Sequence, residues 1–369
     1  MWGFEACTSK EGDGTNRWAQ FVPAMAAHAC IGSPYAWSAV SGTLTRELGV
    51  VASAAGDWSL IETTLPLSLV FAGQGLSAAI VGKWQMAVGP RKALAAGALF
   101  FGGGALVGAA GIWAHSLPIL YLGYGIMGGT GIGLAYTPPV QTLLSWFPDK
   151  RGLASGMCIA GFGSGALFMA PTMGALMDVF KRIPTYLGSA DSVNTVLEGG
   201  KLTADVGGGL KEVVVVGAKE LAKLPYDGLA EGVYLVGSGS TGAAEALAIW
   251  GAGCLVTMAA ASVTLKRPFA GFTPDGWEPP AASASGGTVQ GNVHPDTVLT
   301  VPQFYMLGTS FFCIATGGMG LLSVAKPMMN EVFSSTLPYV TAGFASNYLQ
   351  LMSAGNLGGG IGGGAASGV

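Results

Sequence analysis

Runs of about 20 apolar residues without a charge recur along this chain, and they limit the folds open to it. Hydrocarbon about 30 Å thick is crossed by roughly 20 helical residues at 1.5 Å each. Inside it every backbone amide needs a partner within the segment, so such runs become helices. They lie at 18–40, 63–81, 93–113, 117–138, 152–177, 246–265, 302–325 and 339–364. The expected fold class is all-α, a polytopic, multi-pass integral membrane protein with the bilayer as a partner. Of 369 residues 10% are charged, against about 25% in an average soluble domain.

Several function classes fall away on the same grounds. A net charge of −3 gives no electrostatic case for nucleic acid. The cysteines (Cys7, Cys30, Cys158, Cys254 and Cys313) are odd in number and widely spaced. They suggest neither a disulfide framework nor a metal site. Three scattered histidines, with no acidic residue in mid-helix, leave little for acid–base chemistry. An enzyme is not expected, and neither is a cofactor. Residues 1–17 lack the apolar core of a cleavable signal peptide, so 18–40 reads as a retained span.

Glycine is abundant, at 61 residues. In soluble helices each would cost about 1 kcal/mol relative to alanine. In membrane helices small residues let backbones approach. The spaced pairs Gly104/Gly108, Gly125/Gly129, Gly129/Gly133, Gly152/Gly156 and Gly161/Gly165 fit that use. So do GGTGIG at 128–133 and GFGSG at 161–165, since a nucleotide loop must follow a strand.

Basic residues set the expected orientation. Lys83, Arg91 and Lys92, then Lys150 and Arg151, then Lys266 and Arg267 fall in alternate connections, which should face the cytoplasm. The N-terminus then lies there too. Residues 178–245 form a polar insert on the opposite side, holding six of the 17 Lys/Arg and nine of the 20 Asp/Glu. Its KEVVVVGAKELAKL suggests a short strand and a helix. Residues 266–301 carry five prolines and read as a cytoplasmic linker. The expected organisation is an N-terminal six-helix half over 18–265, the linker, and two further helices over 302–369.

GKWQMAVGPRK at 82–92 reads as a tight turn, and SWFPDKRGLASG at 145–156 as a second. Gly82, Gly89 and Arg91 in one, with Asp149, Lys150 and Arg151 in the other, suggest an ionic latch; ordinary positive-inside loops would look the same. CIGSPYAWS at 30–38 and GLAYTPPVQ at 133–141 place Tyr35, Trp37 and Tyr136 in or near spans. Interfacial belts use such aromatics, but the proline pair frees backbone carbonyls that need partners or a wet cavity. His28 is the ionisable residue well inside the first span. It is either functional or a hydrogen-bonded core residue, and the sequence leaves both open.

These segments resemble the major facilitator superfamily, whose signature between helices 2 and 3 is Gly-x-x-x-Asp-x-x-Gly-x-Arg. Gly82, Gly89 and Arg91 match it; Met86 stands where the acid is expected. GSPYAWS and YTPPVQ…WFPDKRGLASG are similar to the oxalate/formate antiporter family in particular. The resemblance implies an alternating-access carrier that exchanges small carboxylates, with Tyr35 and Tyr136 lining its cavity; His28 and Trp37 are further candidate substrate contacts from their own positions, and a monomer is the expected working unit. A proton-coupled monocarboxylate symporter and a non-transporting receptor or scaffold remain alternatives. In NLGGGIGGGAASGV at 356–369, Asn356, Gly359, Gly364 and Ser367 match the family's eighth helix. Gly360, Gly363 and Gly368 replace its Arg, Trp and Asp. The expectation from this is a fragment of a twelve-helix carrier.

Overall fold

A computed structural model describes residues 15–221, 229–274, 276–277, 295–333, 337 and 342–366. Half of the expected linker, including 278–294, lies outside the described residues. The chain is mostly helical. Among the described residues five helical segments are long and apolar enough to cross a membrane: Leu60–Val88, Pro90–Trp113, Leu117–Trp146, Pro148–Phe180 and Ala243–Thr264. Helices also occupy the other three apolar runs.

The first run is broken. Helix α1 (Phe21–Ile31) gives way at Gly32 to a tighter turn, Ser33–Ala36, before α2 (Ser38–Leu44) resumes. Pro34 has no N–H and cannot continue the α ladder. The break lies where a second helix crosses. A Cβ on Gly32 would collide with the Phe162 carbonyl, and one on Gly165 with the Gly32 backbone. That second helix is itself divided, into α7 (Arg151–Gly163) and α8 (Gly165–Phe180).

Helix α3 (Leu60–Val88) opens with a reciprocal cap: Ser59 accepts from the Glu62 amide, and Glu62 accepts from the Ser59 amide at 2.8 Å. Pro66 removes the donor that would meet the Glu62 carbonyl, and the Tyr121 hydroxyl fills it at 3.0 Å. The helix ends at Val88, so Gly82 lies inside it and the expected 82–92 turn shrinks to Gly89, at φ 81°. Nothing in KWQMAV breaks a helix. Helix α4 (Pro90–Trp113) follows at once, with its proline in the first turn where no amide bond is lost.

Helices α5 (Leu117–Leu120) and α6 (Gly128–Trp146) are joined by a wider helical turn, Tyr121–Met127. GGTGIG lies inside α6 and is a packing surface. A Cβ on Gly131 would strike the Phe101 backbone of α4, and one on Gly129 the Val70 carbonyl of α3.

The insert is richer in strands than its sequence suggested. Strands β1 (Tyr186–Gly188), β2 (Thr195–Glu198), β3 (Lys201–Asp205), β4 (Leu210–Val216) and β5 (Gly232–Leu235) form one antiparallel sheet ordered β1-β5-β4-β3-β2. A short α9 (Ala218–Leu221) follows β4. The β2–β3 hairpin turns on Gly199-Gly200, with φ of 58° and 82°. Two residues with positive φ suit the twist of a tight hairpin, so this glycine pair was the sequence signal for strands.

Val214, Val216 and Tyr234 of the sheet pack on Val51 and Ala54 of the α2–α3 connection. Asp57 stiffens that connection by accepting from the amides of Leu48, Gly49 and Ala54 at 2.8, 3.1 and 2.8 Å. Helix α10 (Ala243–Thr264) then returns through the bundle, backbone to backbone with α4 near Gly102 and Gly251. Beyond it come α11 (Pro295–Val298), α12 (Pro302–Met328) and α13 (Ala342–Ala366). The glycine-rich segment 356–366 is helical in α13. A Cβ on Gly156 of α7 would lie 2.5 Å from the Gly360 carbonyl and 2.7 Å from the Gly364 Cα.

Candidate functional site

Three helices bring His28, Tyr35 and Tyr136 together. The interruption at Gly32 turns the chain between His28 and Tyr35, so both can face the same neighbours. Phe162 of α7 stands between the two tyrosines, edge-on to each: 5.2 Å from the Tyr35 ring and 5.4 Å from the Tyr136 ring. The His28 ring lies 5.3 Å from that of Tyr136, and Phe71 of α3 lies 6.1 Å from Tyr35. Both tyrosines are half-buried, whereas His28 has no exposed surface.

His28 has an unequal pair of ring nitrogens. Nδ1 lies 2.9 Å from the Ala24 carbonyl, so Nδ1 carries the hydrogen and donates. Nε2 is buried and makes no hydrogen bond among the described residues. In a neutral ring it is a lone pair. The Tyr136 ring faces the imidazole, and Gly161 of α7 lies against the His28 Cβ; neither residue carries a charge.

Trp37 does not join this group. It has no exposed surface, stacks on Tyr124 at 4.2 Å and donates to the Thr63 carbonyl at 2.8 Å. The candidate contact is a packing residue that ties α2 to α3, because its one polar atom is already committed inside the bundle.

Sequence reasoning missed three polar groups that hold the site's frame. Gln85 is buried in α3 and donates to the Gly133 and Leu134 carbonyls at 2.9 and 3.1 Å. Pro138 is the cause, since it leaves Leu134 without a helical donor. Ser353 of α13 donates to the Gly163 carbonyl and accepts from the Leu167 amide, bridging the α7–α8 break. Trp250 of α10 donates to the Ser33 hydroxyl at 3.1 Å, beside the α1 break. A glutamine inside a long helix near two prolines was the available signal for the first. The other two depend on which helices meet.

At the far end of the bundle the expected latch has other partners. Asp149 pairs with Arg17, at 2.8 and 3.1 Å to its two oxygens, rather than with the Gly89 turn. The Arg17 guanidinium also lies 4.8 Å from the centre of the Phe147 ring. Arg91 instead donates to the Leu265 carbonyl at 3.1 Å, joining α4 to the end of α10. Lys150 sits 5.4 Å above the Trp18 ring, and Arg151 is exposed at the start of α7. Gly82 lies in open space on α3, and Gly89 makes the turn. The Met86 position explains the change of partner, because it brings no acid to the α3–α4 turn.

Comparison with known proteins finds relatives over part of the chain. The chain is 36% identical over 135 residues to apicoplast pyruvate carrier 1 of Toxoplasma gondii, covering 36% of this chain and 24% of that one. It is 34% identical over 166 residues to the oxalate:formate antiporter of Oxalobacter formigenes, covering 44% and 37%. It is 29% identical over 168 residues to monocarboxylate transporter 1 of Mus musculus, covering 46% and 32%. The matches thus span 24% to 37% of the length of these three relatives. All three are named as carriers, antiporters or transporters. Residues 24–188, which hold His28, Tyr35 and Tyr136, match the model of the Major Facilitator Superfamily.

Proposed function

We propose that this protein carries small organic carboxylates across a membrane by alternating access, exchanging one anion for another. The observation that carries the reading is the His28–Tyr35–Tyr136 group at the interruption of α1. It offers polar hydrogen-bonding groups and aromatic walls deep inside apolar helices. Carriers of this kind place substrate near the midplane, where broken helices supply groups to it. Proteins similar to part of this chain are named for pyruvate, oxalate, formate and monocarboxylates. The N-terminus and the α3–α4 turn lie in the cytoplasm in this reading, by the distribution of Lys and Arg.

Counterflow in proteoliposomes is the test. Vesicles holding the 369-residue chain and loaded with unlabelled pyruvate, formate or oxalate should accumulate the labelled acid. Uptake without an internal acid, driven by external protons, would favour symport over exchange. Binding without flux would make the protein a receptor and end the carrier reading.

A further inference from the structure

Two of the widely spaced cysteines meet inside the bundle. Helices α1 and α10 run antiparallel: near one end the Lys266 amide donates to the Gln20 side chain at 2.9 Å, and near the other the Trp250 indole donates to the Ser33 hydroxyl at 3.1 Å. Residue numbers therefore rise along one helix as they fall along the other. Cys254 lies one turn beyond Trp250 on the same face of α10, and Cys30 lies three residues before Ser33. That register sets Cys30 opposite Cys254. Their thiols interact directly, within one apolar cluster where Cys30 is 8% and Cys254 3% exposed. Both are free. Cys158 stands elsewhere, on α7 beside Tyr136, and Cys313 is exposed on α12.

We propose that Cys30 and Cys254 are a redox-sensitive pair, which a hydroperoxide closes into a reversible disulfide that staples α1 to α10 beside the α1 break. Hydrogen peroxide is the simplest oxidant of this class. It is small and uncharged, so it can enter where an ion cannot. One sulfur attacks the O–O bond and keeps one oxygen as a sulfenic acid; its proton goes to the other oxygen, which leaves as water. The second sulfur then displaces the sulfenic oxygen. The S–S bond forms, and that oxygen leaves with the second thiol proton as another water. Two electrons pass from the two sulfurs to the peroxide, and no further reactant is needed. Buried thiols react slowly, so the first step sets the rate. The second is fast, because the partner thiol is already in place. The product carries no charge and suits a dry, apolar site. The Trp250–Ser33 hydrogen bond lies about one turn away, so the staple fixes α10 against the residues where α1 is interrupted. The inference needs no carrier activity and stands apart from the reading above.

The experiment uses the whole folded chain in detergent, treated with hydrogen peroxide, then alkylated, digested and analysed by mass spectrometry. The expected result is one linked peptide pair joining Cys30 to Cys254, lighter than the two free peptides by two hydrogens, and lost on treatment with dithiothreitol. Oxidation should raise Tm by several degrees and slow amide hydrogen exchange around the α1 break. C30S and C254S should show none of these changes, while C158S shows them all. If the first two variants do not fold, the native chain still decides, by its peptide map and by Tm before and after reduction. Sulfinic acid at either cysteine without a linked peptide, a linkage to Cys158 in its place, or no reaction of the pair overturns the inference. So does a linked pair that leaves both Tm and exchange unchanged, since the staple would then fix nothing. Each of these failures leaves the carrier reading standing, which counterflow tests separately.

Discussion

Tyr35 and Tyr136 each pack their ring in edge contact with that of Phe162 and carry one phenolic hydroxyl. Replacing either by phenylalanine leaves the aromatic packing and removes one donor, worth about 0.5–1.5 kcal/mol if neutral. Each variant should therefore weaken pyruvate binding by up to about tenfold with little change in Tm. Normal affinity in both single variants would make them packing residues like Trp37. Glu47 governs a different property. It lies in the connection from α2 to α3, with its carboxylate against the hydroxyls of Thr241 and Ser240 at the end of the insert. Burial pushes its carboxyl from 4.5 up to about 7; the two hydroxyls oppose the rise and Glu245 adds to it. An acid raised in this way holds its proton more tightly folded than unfolded. Its contribution is complete below 4.5 and lost as pH rises through about 7. Thermal unfolding in detergent should show Tm falling from pH 5 to pH 8. Glu47→Gln, which keeps the contacts and removes the charge, should flatten that fall. Parallel profiles for the two proteins would rule the effect out.

Helix packing here depends on which glycines face another backbone. Gly131 of α6 has no room for a methyl group beside the Phe101 backbone of α4, whereas Gly103 of α4 faces open space. Gly131→Ala should force α4 and α6 apart, at about 1–3 kcal/mol and a Tm lower by several degrees. Gly103→Ala should be neutral or stabilising by up to about 1 kcal/mol. Equal effects from both would mean that these glycines do not set the helix spacing. Sequence spacing pointed to GGTGIG as a contact surface, and that reading stands in α6. The same spacing pointed to Gly165 in GFGSG but not to Gly32, and the close approach of the two lies where two helices are divided. Gly32 and Gly165 are far apart in the chain, and only their crossing gives them a role.

At the scale of the whole molecule, the sheet of the insert sits at the end of the bundle where Val51 and Ala54 lie, and Arg17 and Asp149 close the other end. In the proposed topology the Arg17 end faces the cytoplasm. With the native cysteines removed, Ser192→Cys in the insert and Ser283→Cys in the 266–301 segment should react with an impermeant maleimide from opposite sides of the membrane. Labelling of both from one side would refute that topology.

The sequence alone determined that the chain is helical and membrane-spanning, and where its apolar runs fall, because hydrocarbon length and backbone satisfaction are local requirements. It also identified Tyr35, Tyr136 and His28 as residues out of place in such runs. It did not separate Trp37 from them, since a buried indole and a cavity-facing one have the same neighbours in the chain. Three things awaited the tertiary structure: the partner of Asp149, the repair of the carbonyl freed by Pro138, and the lone pair left on His28. Each is a hydrogen bond made or missing between helices distant in sequence, and its existence depends on a distance that only packing sets.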